Sequence, residues 1–311
     1  MNDILAFDIG GTNIKYGIIS PKGAIVERHQ IPTEAGRGGA ALLERIAVTA
    51  ENMLSGHKKI YGIAVSSAGQ ISPATGDVIY ATGNIPGWTG IPLGSYLKER
   101  LGLPVYVEND VNAAALGEQW QGAGRGSRDF LCITVGTGIG GAIVTEGKIY
   151  HGLRGAAGEL GHILFEKDGR ICTCGRRGCF EQYGSMGALV NYVIERGKKD
   201  FIYPGIDGIM IIEEAKKGNG LCAEAVEWLC GNLAAGIASL VHIFNPSLVI
   251  LGGGFSEENH EIIEQIRNRV RSCIMPSFQE GFDLLPARCG NSSGMLGAAY
   301  GLITLGENCR R

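Results

Sequence analysis

Phe7-Asp8-Ile9-Gly10-Gly11-Thr12, near the start of the chain, has a counterpart in Thr134-Val135-Gly136-Thr137-Gly138-Ile139-Gly140-Gly141. Each stretch lies between two apolar runs of strand length, so each predicts a β-hairpin with a glycine-rich turn. Strands alternate with helices along the remaining chain, a pattern that indicates an α/β fold. The repeated hairpin therefore predicts a duplicated domain with a cleft between its two copies.

The apolar periodicity predicts further elements along the chain. Strands are expected at 4–8, 15–19, 60–66, 105–107 and 248–251. Helices are expected at 40–54 and 221–244, with further helix starts at Asn109-Asp110 and near Glu257. In the second of these helices Leu233, Ile237, Leu240 and Val241 are expected in the core rather than at an oligomer seam, because buried helices are apolar all round.

The glycine clusters point to a bound polyphosphate. Backbone N–H groups can approach phosphates closely only where side chains are absent, so two glycine-rich turns facing one cleft would hold such a ligand. Neither turn ends in the Gly-Lys-Ser/Thr of a Walker loop. A third cluster, Gly252-Gly253-Gly254, follows a strand and precedes a helix, which suits the nucleoside end of the ligand. Each cluster alone fits an ordinary tight turn equally well, but three in this order favour a nucleotide.

A run of cysteines indicates a metal site. Cys172, Cys174 and Cys179 are separated by glycine and arginine, and His162 lies upstream of them. Three thiolates and one imidazole complete a tetrahedral zinc shell with no position left for water, which implies a structural ion. The Cys-x-Cys spacing is tighter than that of a nucleic-acid-binding finger.

The cysteines admit two other interpretations. Cysteines in cytosolic proteins are often small buried apolar residues. This interpretation suits the glycine-rich run poorly, and it suits Cys132, Cys222, Cys230 and Cys273 better. A disulfide is disfavoured because the chain has nine cysteines, an odd number, and no secretory signal.

Polar residues gather at Glu108-Asn109-Asp110-Val111-Asn112, where a strand ends and a helix begins. A helix N-cap would explain one of them, since Asn or Asp often accepts a backbone N–H there. Four polar residues in five favour a catalytic role. A carboxylate in this place can orient a substrate hydroxyl and accept its proton, so Asp110 is the predicted base of a phosphoryl transfer.

Composition narrows the classes of function. The net charge is -3 and the isoelectric point is near 6.1, values that argue against a nucleic-acid surface. The N-terminus lacks the pattern of a signal peptide, and no apolar run reaches the ~18 residues of a membrane span. We therefore expect a cytoplasmic protein that contacts neither nucleic acid nor membrane.

The chain resembles the ROK family of sugar kinases and sugar-responsive repressors, within the actin-like ATPase superfamily. The strongest marker is Cys-x-Cys-Gly-x-x-Gly-Cys-x-Glu, met from Cys172 to Glu181. The other matching motifs are Asp8-Ile9-Gly10-Gly11-Thr12, Glu108-Asn109-Asp110, Gly136-Thr137-Gly138-Ile139-Gly140-Gly141 and Glu159-Leu160-Gly161-His162. The resemblance covers essentially the whole chain.

The resemblance implies a fold, a metal and a set of site residues. It implies a ribonuclease H-like fold with a small domain at 1–117, a large domain at 118–296 carrying the zinc loop, and the helix 297–311 packing back on the first. Zinc would be bound by His162, Cys172, Cys174 and Cys179. The implied sugar ligands are Asn84, Asn109, Asp110, Glu159, His162 and Glu181. Asp110 would be the base, and His162 would use its second ring nitrogen on the sugar.

Nucleotide contacts follow from the same motifs. The predicted residues are Asp8, Gly10, Gly11, Thr12, Gly136, Thr137, Gly138, Gly140, Gly253 and Gly254. Asp8 would position Mg²⁺ through water or orient the γ-phosphate, because Mg²⁺ prefers carboxylate, water and phosphate oxygens. Lys15 is left out of the site, since exposed strand lysines are common.

The resemblance implies an ATP-dependent hexose kinase that forms a homodimer or homotetramer. The branch it most resembles phosphorylates the 6-hydroxyl of glucose; N-acetylmannosamine, allose and fructose kinases share nearly all of these residues. Repressors of the family carry a helix-turn-helix ahead of the core, for which Asp8 leaves no room, and the net charge disfavours DNA. A sugar sensor acting through a partner protein would be expected to lose Asp110 or the glycine turns.

Overall fold

The computed structural model describes residues 2–57, 59–197, 205–256 and 259–308. They form two compact units: Met1–Gly126 with Lys148–Ala157 and Asn291–Arg311, and Ser127–Gly147 with Gly158–Gly290. The first unit therefore runs to Gly126 rather than to 117, and it takes up Lys148–Ala157, which the sequence analysis placed in the large domain.

A five-stranded sheet forms the centre of the first unit. The strands in chain order are β1 (Asp3–Ile9), β2 (Asn13–Ile19), β3 (Ile25–Pro32), β4 (Ile60–Ser67), the short pair β5 (Gln70–Ile71) and β6 (Val78–Tyr80), and β7 (Val105–Asn109). The order across the sheet is β3-β2-β1-β4-β7. β1 and β2 form the predicted antiparallel hairpin, whereas β4 is parallel to both β1 and β7. β1 is buried along most of its length, as expected for a central strand.

A second sheet has the same plan. Its strands are β8 (Phe130–Val135), β9 (Ile139–Thr145), β10 (Lys148–Ile149), β11 (Leu248–Gly252) and β12 (Asp283–Pro286). Their order is β10-β9-β8-β11-β12, with an antiparallel β8–β9 hairpin and parallel β8–β11 and β11–β12 pairs. Each sheet thus begins with a hairpin around a glycine-rich turn and continues with parallel strands, which confirms the predicted duplication.

Helices cover these sheets. The first unit contains α1 (Gly39–Gly56), α2 (Leu93–Leu101) and α3 (Asp110–Gln121). The second contains α4 (Glu181–Gly184), α5 (Met186–Arg196), α6 (Gly208–Lys216), α7 (Gly220–Phe244), α8 (His260–Cys273) and α9 (Pro276–Gln279). The last helix, α10 (Ser293–Asn308), belongs to the first unit. In α1 the buried residues recur every three or four positions, so one face packs into the core.

The helix α7 is long and apolar enough to cross a membrane by length and composition. Half of its most apolar window is nevertheless buried inside the protein. Leu233, Ile237, Leu240 and Val241 are all part of the core of the second unit. These four residues confirm the expectation of a core helix, and a helix that packs within its own unit gives only weak support for a membrane span.

Two local predictions are wrong, and a third concerns a residue outside the described part of the chain. The C-terminal helix begins at Ser293 rather than at 297, so its first turn includes Gly294, a residue type of low helix propensity. Cys273, expected to be buried, is exposed at the end of α8, while Cys132, Cys222 and Cys230 are buried as expected. Glu257, near which a helix start was predicted, lies outside the described residues, and α8 is described from His260.

The contact between α10 and α3 is made through glycine. A Cβ atom on Gly297 would overlap the Ala113 carbonyl oxygen, and a Cβ atom on Gly117 would lie 2.5 Å from the Ser293 carbonyl oxygen. The two helices therefore pack backbone against backbone, which places α10 closer to α3 than any other residue would permit.

Substitution of Gly297 by Ala should destabilise the protein. The added methyl group has no space, and overpacking of this kind costs about 1–3 kcal/mol. The matched control is Gly56→Ala, because a Cβ atom there meets nothing within 4 Å and the residue ends α1. Thermal unfolding followed by circular dichroism should show a lower midpoint for Gly297→Ala only. Equal midpoints in the two variants would contradict the close packing of α10.

Candidate active site

Polar side chains meet at the carboxyl edge of the first sheet. Asp8, Ser66 and Glu108 occupy paired positions on the three neighbouring parallel strands β1, β4 and β7. The Ser66 hydroxyl donates to Asp8 Oδ1 at 2.8 Å, and Lys15 Nζ lies 3.9 Å from Asp8 Oδ2. Burial raises the pKa of Asp8 and outweighs the lowering effects of Ser66 and Lys15. The carboxyl ends of parallel strands are where α/β folds bind ligands.

Asp110 is the first residue of α3, directly after β7. Its Oδ1 accepts from the backbone N–H of Val111 and from the Asn109 carboxamide, each at 2.9 Å. Asn109 is the N-cap of α3, since its Oδ1 accepts from the N–H groups of Val111 and Asn112. The capping interpretation is therefore correct for Asn109, and Asp110 is the first residue inside the helix.

The charge state of Asp110 suits a base. Burial raises its pKa to about 6, with a further increase from the nearby negative charge of Asp8 and against the lowering effect of the bond from Val111. General bases work best when their pKa lies near the operating pH, because they are then ionised and still attract a proton. A strongly shifted carboxylate at a ligand-binding edge is a typical feature of active sites.

The first glycine-rich turn joins β1 to β2 and is exposed at Gly10, Gly11 and Thr12. Thr33 fixes both sides of this turn: its hydroxyl donates to the Gly10 carbonyl at 2.6 Å, and its N–H donates to the Thr12 carbonyl at 2.8 Å. Gly11 has no heavy atom within 4 Å of a Cβ position, so open space lies over the turn. The turn is thus rigid and accessible, as a phosphate site requires.

The other two glycine clusters lie together in the second unit. The Gly136-to-Gly140 turn follows β8, and Gly253 follows β11, its parallel neighbour. Gly253 has a φ of +90°, and a Cβ atom there would lie 2.5 Å from the Val135 carbonyl oxygen. Only glycine allows this approach, which brings the third cluster against the start of the second.

The predicted metal ligands converge. One ligand atom each from His162, Cys172, Cys174 and Cys179 lies within 4.8 Å of all the others. The Cys174 and Cys179 sulfurs are 3.5 Å apart, and Cys172 Sγ is 3.6 Å from His162 Nδ1. Sulfurs bound to one tetrahedral zinc at 2.3 Å would be about 3.8 Å apart, so the donor set fits zinc in both chemistry and spacing.

The geometry also separates the two ring nitrogens of His162. Nδ1 faces the sulfur cluster, whereas Nε2 is 4.0 Å from Glu159 Oε2. Glu159 directly precedes the short 3₁₀ turn Leu160–His162 that carries the histidine. A metal bound to Nδ1 would therefore leave Nε2 directed toward the Glu159 carboxylate, where it could bind a second partner.

Glu181 connects the cysteine cluster to the second glycine turn. Its Oε2 accepts from the backbone N–H of Ile139 at 3.0 Å, and its Oε1 is 3.8 Å from Cys172 Sγ. A Cβ atom on Gly138 would overlap Glu181 Oε2. The absence of a side chain at Gly138 thus makes room for this carboxylate, a second reason for glycine beside close approach to a ligand.

The predicted sugar ligands divide between the two units. Asn109 and Asp110 lie together in the first unit, and Glu159, His162 and Glu181 surround the cysteine cluster in the second. Asn84 is exposed on a first-unit loop. That loop is anchored by the buried Trp88, whose indole N–H donates to Ser67 Oγ at 3.2 Å.

Sequence reasoning missed two residues at the edge of the first sheet. The Ser66 hydroxyl bonds Asp8. Pairing the predicted strands 4–8 and 60–66 in parallel would have placed these two residues side by side. His151 Nε2 lies 2.8 Å from Glu108 Oε2, although 43 positions separate the two residues. No local pattern marks His151, because its partner lies in another part of the chain.

The chain belongs to the ROK family, whose model matches residues 4–304. A glucokinase of Halalkalibacterium halodurans is 35% identical, over 97% of this chain and 94% of its own length. The xylose repressor of Caldicellulosiruptor bescii is 34% identical over 68% of this chain and 54% of its own. The resemblance seen in the sequence motifs is thereby confirmed.

Solved structures have the same fold. The crystal structure of a ROK family glucokinase from Streptomyces griseus in complex with glucose and AMPPNP is 34% identical, with a TM-score of 0.81. The match covers 96% of this chain and 98% of that chain. The two-unit α/β architecture is therefore that of ROK kinase structures.

Substitution of Cys174 by Ser should abolish zinc binding, since a hydroxyl is a poor ligand for zinc beside two thiolates. The control is Cys273→Ser, which changes another exposed cysteine far from the cluster in sequence. Metal analysis of the purified proteins should find about one zinc per chain in the wild type and the control. A similar zinc content in Cys174→Ser would contradict the ligand assignment.

Proposed function

We propose that this protein is a sugar kinase that transfers the γ-phosphoryl group of ATP to a hexose hydroxyl, with Asp110 as the base. The observation that carries the proposal is the Asp110 carboxylate: it follows the carboxyl end of a parallel strand, and its pKa is raised to about 6. Membership of a family that includes glucokinases supports the same reaction.

In the proposed reaction the sugar hydroxyl gives its proton to Asp110 while its oxygen attacks the γ-phosphorus. The bond from the γ-phosphorus to the bridging oxygen breaks, and ADP leaves with the electron pair. Asn109 holds the base in place by donating to its Oδ1. Phosphoryl transfer depends mainly on positioning and charge stabilisation, so a carboxylate fixed by two hydrogen bonds is well suited to it.

Phosphates would be held by the glycine turns. The proposed phosphate contacts are Gly10, Gly11 and Thr12, together with Gly136, Thr137, Gly138 and Gly140, because glycine-rich turns let an anion approach the backbone closely. Gly253 and Gly254 would contact the nucleoside end. Asp8 is the proposed site for Mg²⁺, which would neutralise developing charge on the phosphates when bound. The carboxylate of Asp8 already has Ser66 as a hydrogen-bond partner, which fixes its orientation.

The proposed sugar ligands are Asn84, Asn109, Asp110, Glu159, His162 and Glu181. Carboxylates and carboxamides bind hydroxyls through charge-assisted or paired hydrogen bonds. The cysteine cluster would hold structural zinc, whose role is to fix His162 and the start of α4. Zinc takes no part in the chemistry, because four protein ligands fill its tetrahedral shell.

Glucose, phosphorylated at its 6-hydroxyl, is the proposed substrate, with N-acetylmannosamine, fructose and allose as alternatives. The glucose complex of the Streptomyces griseus relative supports glucose. A non-enzymatic sugar sensor is the second candidate, favoured by the similarity to a xylose repressor. Retention of Asp110 and of all three glycine clusters favours the kinase.

A phosphorylation panel tests the proposal. The purified protein is given ATP and, separately, glucose, N-acetylmannosamine, mannose, fructose, allose and N-acetylglucosamine, and kcat/KM is compared. The proposal expects the highest kcat/KM for glucose. Preference for another sugar would change the substrate and keep the mechanism, whereas sugar binding without turnover on any of them would favour the sensor.

Replacement of Asp110 by Asn should remove turnover and leave sugar binding largely intact. The carboxamide is nearly isosteric and still bonds hydroxyls, but it cannot accept the proton, so kcat should fall by about 10²- to 10⁴-fold. Calorimetric titration with the preferred sugar measures binding separately from turnover. Appreciable residual kcat would place the base elsewhere.

Replacement of Gly138 by Ala should weaken sugar binding by displacing the Glu181 carboxylate from Ile139. Loss of one charge-assisted hydrogen bond to the sugar corresponds to roughly 10- to 100-fold in Kd. Gly136→Ala is the matched control in the same turn, because a Cβ atom there meets nothing within 4 Å. Titration in the absence of nucleotide isolates the effect on the sugar. Unchanged affinity in Gly138→Ala would remove Glu181 from the sugar site.

A further inference from the structure

Glu108 is a buried carboxylate that the proposed reaction does not use. Its residue is 3% exposed, and its two oxygens accept four hydrogen bonds. Tyr106 donates to Oε2 at 2.7 Å, and His151 Nε2 lies 2.8 Å from the same oxygen. A buried carboxylate with its full set of partners is usually retained for a structural or functional reason, because desolvating the charge is costly.

The other oxygen of Glu108 supports the base. Oε1 accepts from the backbone N–H of Asn109 at 2.9 Å and from the Asn112 carboxamide at 3.0 Å. Asn109 is the N-cap that also donates to Asp110, and Asn112 lies in the first turn of α3. Glu108 thus binds both sides of the segment that presents Asp110.

His151 provides the opposite charge. It lies in Lys148–Ala157. This segment follows β9 and belongs to the first unit, whereas the residues on either side of it belong to the second. The same segment is anchored at Gly155, where a Cβ atom would overlap the Ile71 carbonyl oxygen. The packing of this segment therefore holds His151 against Glu108. The His151 side chain is still 29% exposed, so it can exchange protons with solvent.

The charges of this pair stabilise each other. The hydrogen bond that the His151 ring donates to Glu108 raises the pKa of His151, and the charge of Glu108 adds to the increase. Burial acts to raise the pKa of Glu108, but the partners, with His151 first, outweigh it and the pKa is lowered. Both groups are thus favoured in their charged forms, as an imidazolium and a carboxylate.

Among the described residues, the other hydrogen-bond partners of Glu108 are neutral groups. On β7 itself Tyr106 contacts Glu108, and burial together with the Glu108 charge raises the pKa of Tyr106 well above its usual value. From α3 the contact is the neutral Asn112, and α10 presents Gly301 to the Tyr106 ring. Asp8 and Asp110 are the carboxylates at the same edge of the sheet, with Lys15 beside Asp8.

We propose that His151 is a positioning residue of the phosphoryl transfer: as an imidazolium it keeps Glu108 charged and oriented, and Glu108 fixes Asn109 and the first turn of α3 for Asp110. The inference rests on the proposed function. Loss of the proton from His151 at higher pH would leave Glu108 as a buried carboxylate without a counter-charge, and the segment that carries Asp110 would shift. Displacements of about 1 Å at a reacting group can cost roughly 100-fold in rate.

The test compares three variants with the wild type on its preferred sugar. They are His151→Gln, the double variant Glu108→Gln with His151→Gln, and the control His29→Gln. His29 forms an exposed ion pair with Glu27 on β3, so its substitution reproduces the loss of a paired histidine away from the site. The measurements are kcat and KM for sugar and for ATP between about pH 5 and 10, together with the imidazole titration of His151 by NMR.

The inference expects an alkaline limb in the wild-type kcat profile, with the midpoint at which the His151 ring loses its proton. His151→Gln should lower kcat roughly 10- to 100-fold with little change in the KM for ATP. The double variant should lose the alkaline limb and recover part of kcat, because two carboxamides form a neutral hydrogen bond that does not titrate here. His29→Gln should match the wild type.

Several results would overturn the inference. An alkaline limb that persists at the wild-type midpoint in the double variant would assign it to another group. Wild-type kcat in His151→Gln, or an equal loss in His29→Gln, would leave His151 without a specific role. Absence of turnover in the wild type would contradict the proposed function as well, whereas turnover with an unmoved pH profile would contradict only this inference.

Discussion

The first unit depends on the close approach of α10 to α3 and to the carboxyl edge of the sheet. Gly297 brings the backbone of α10 against Ala113, and a Cβ atom on Gly294 would lie 2.5 Å from Asp8 Oδ1. The start of α10 therefore packs directly on the polar edge that contains Asp8 and Ser66. Positive partial charge at a helix N-terminus favours the ionised form of a nearby carboxylate, which opposes the effect of burial on Asp8.

In the second unit, different contacts hold the polar loops in place. Its glycine turn and its cysteine-rich loop have few apolar residues to pack, and two kinds of contact hold them. Glu181 bonds Ile139 in the turn, while the sulfurs and the His162 ring converge to a size that fits zinc. Arg170, within the loop, lies over the Trp228 ring at 5.2 Å and pairs with Glu195 at 2.6 Å. Several independent contacts thus fix the carboxylates and the imidazole proposed to bind the sugar.

The parts that the sequence predicted are those encoded by local pattern. Alternating apolar runs located the β1–β2 hairpin, and ligand chemistry in a short span located His162 and the cysteines. The start of α10 was missed because Gly294 and Gly297 lower helix propensity, and only the packing against Asp8 and α3 explains them. Cys273 is exposed because it is the last residue of α8, beyond Val270, the last buried residue of the helix. The Glu108–His151 pair was out of reach, since a contact across 43 positions leaves no local signal.

The proposed reaction requires Asp110 to be a carboxylate that is ionised at neutral pH and still basic. Carbon-13 NMR of protein labelled at the aspartate carboxyl carbons measures this directly, with Asp110→Asn identifying the signal. Because burial and Asp8 raise the pKa of Asp110 to about 6, one carboxyl signal should titrate near that pH and disappear in Asp110→Asn. An Asp110 signal that titrates near the ordinary value of about 3.9 would contradict the account.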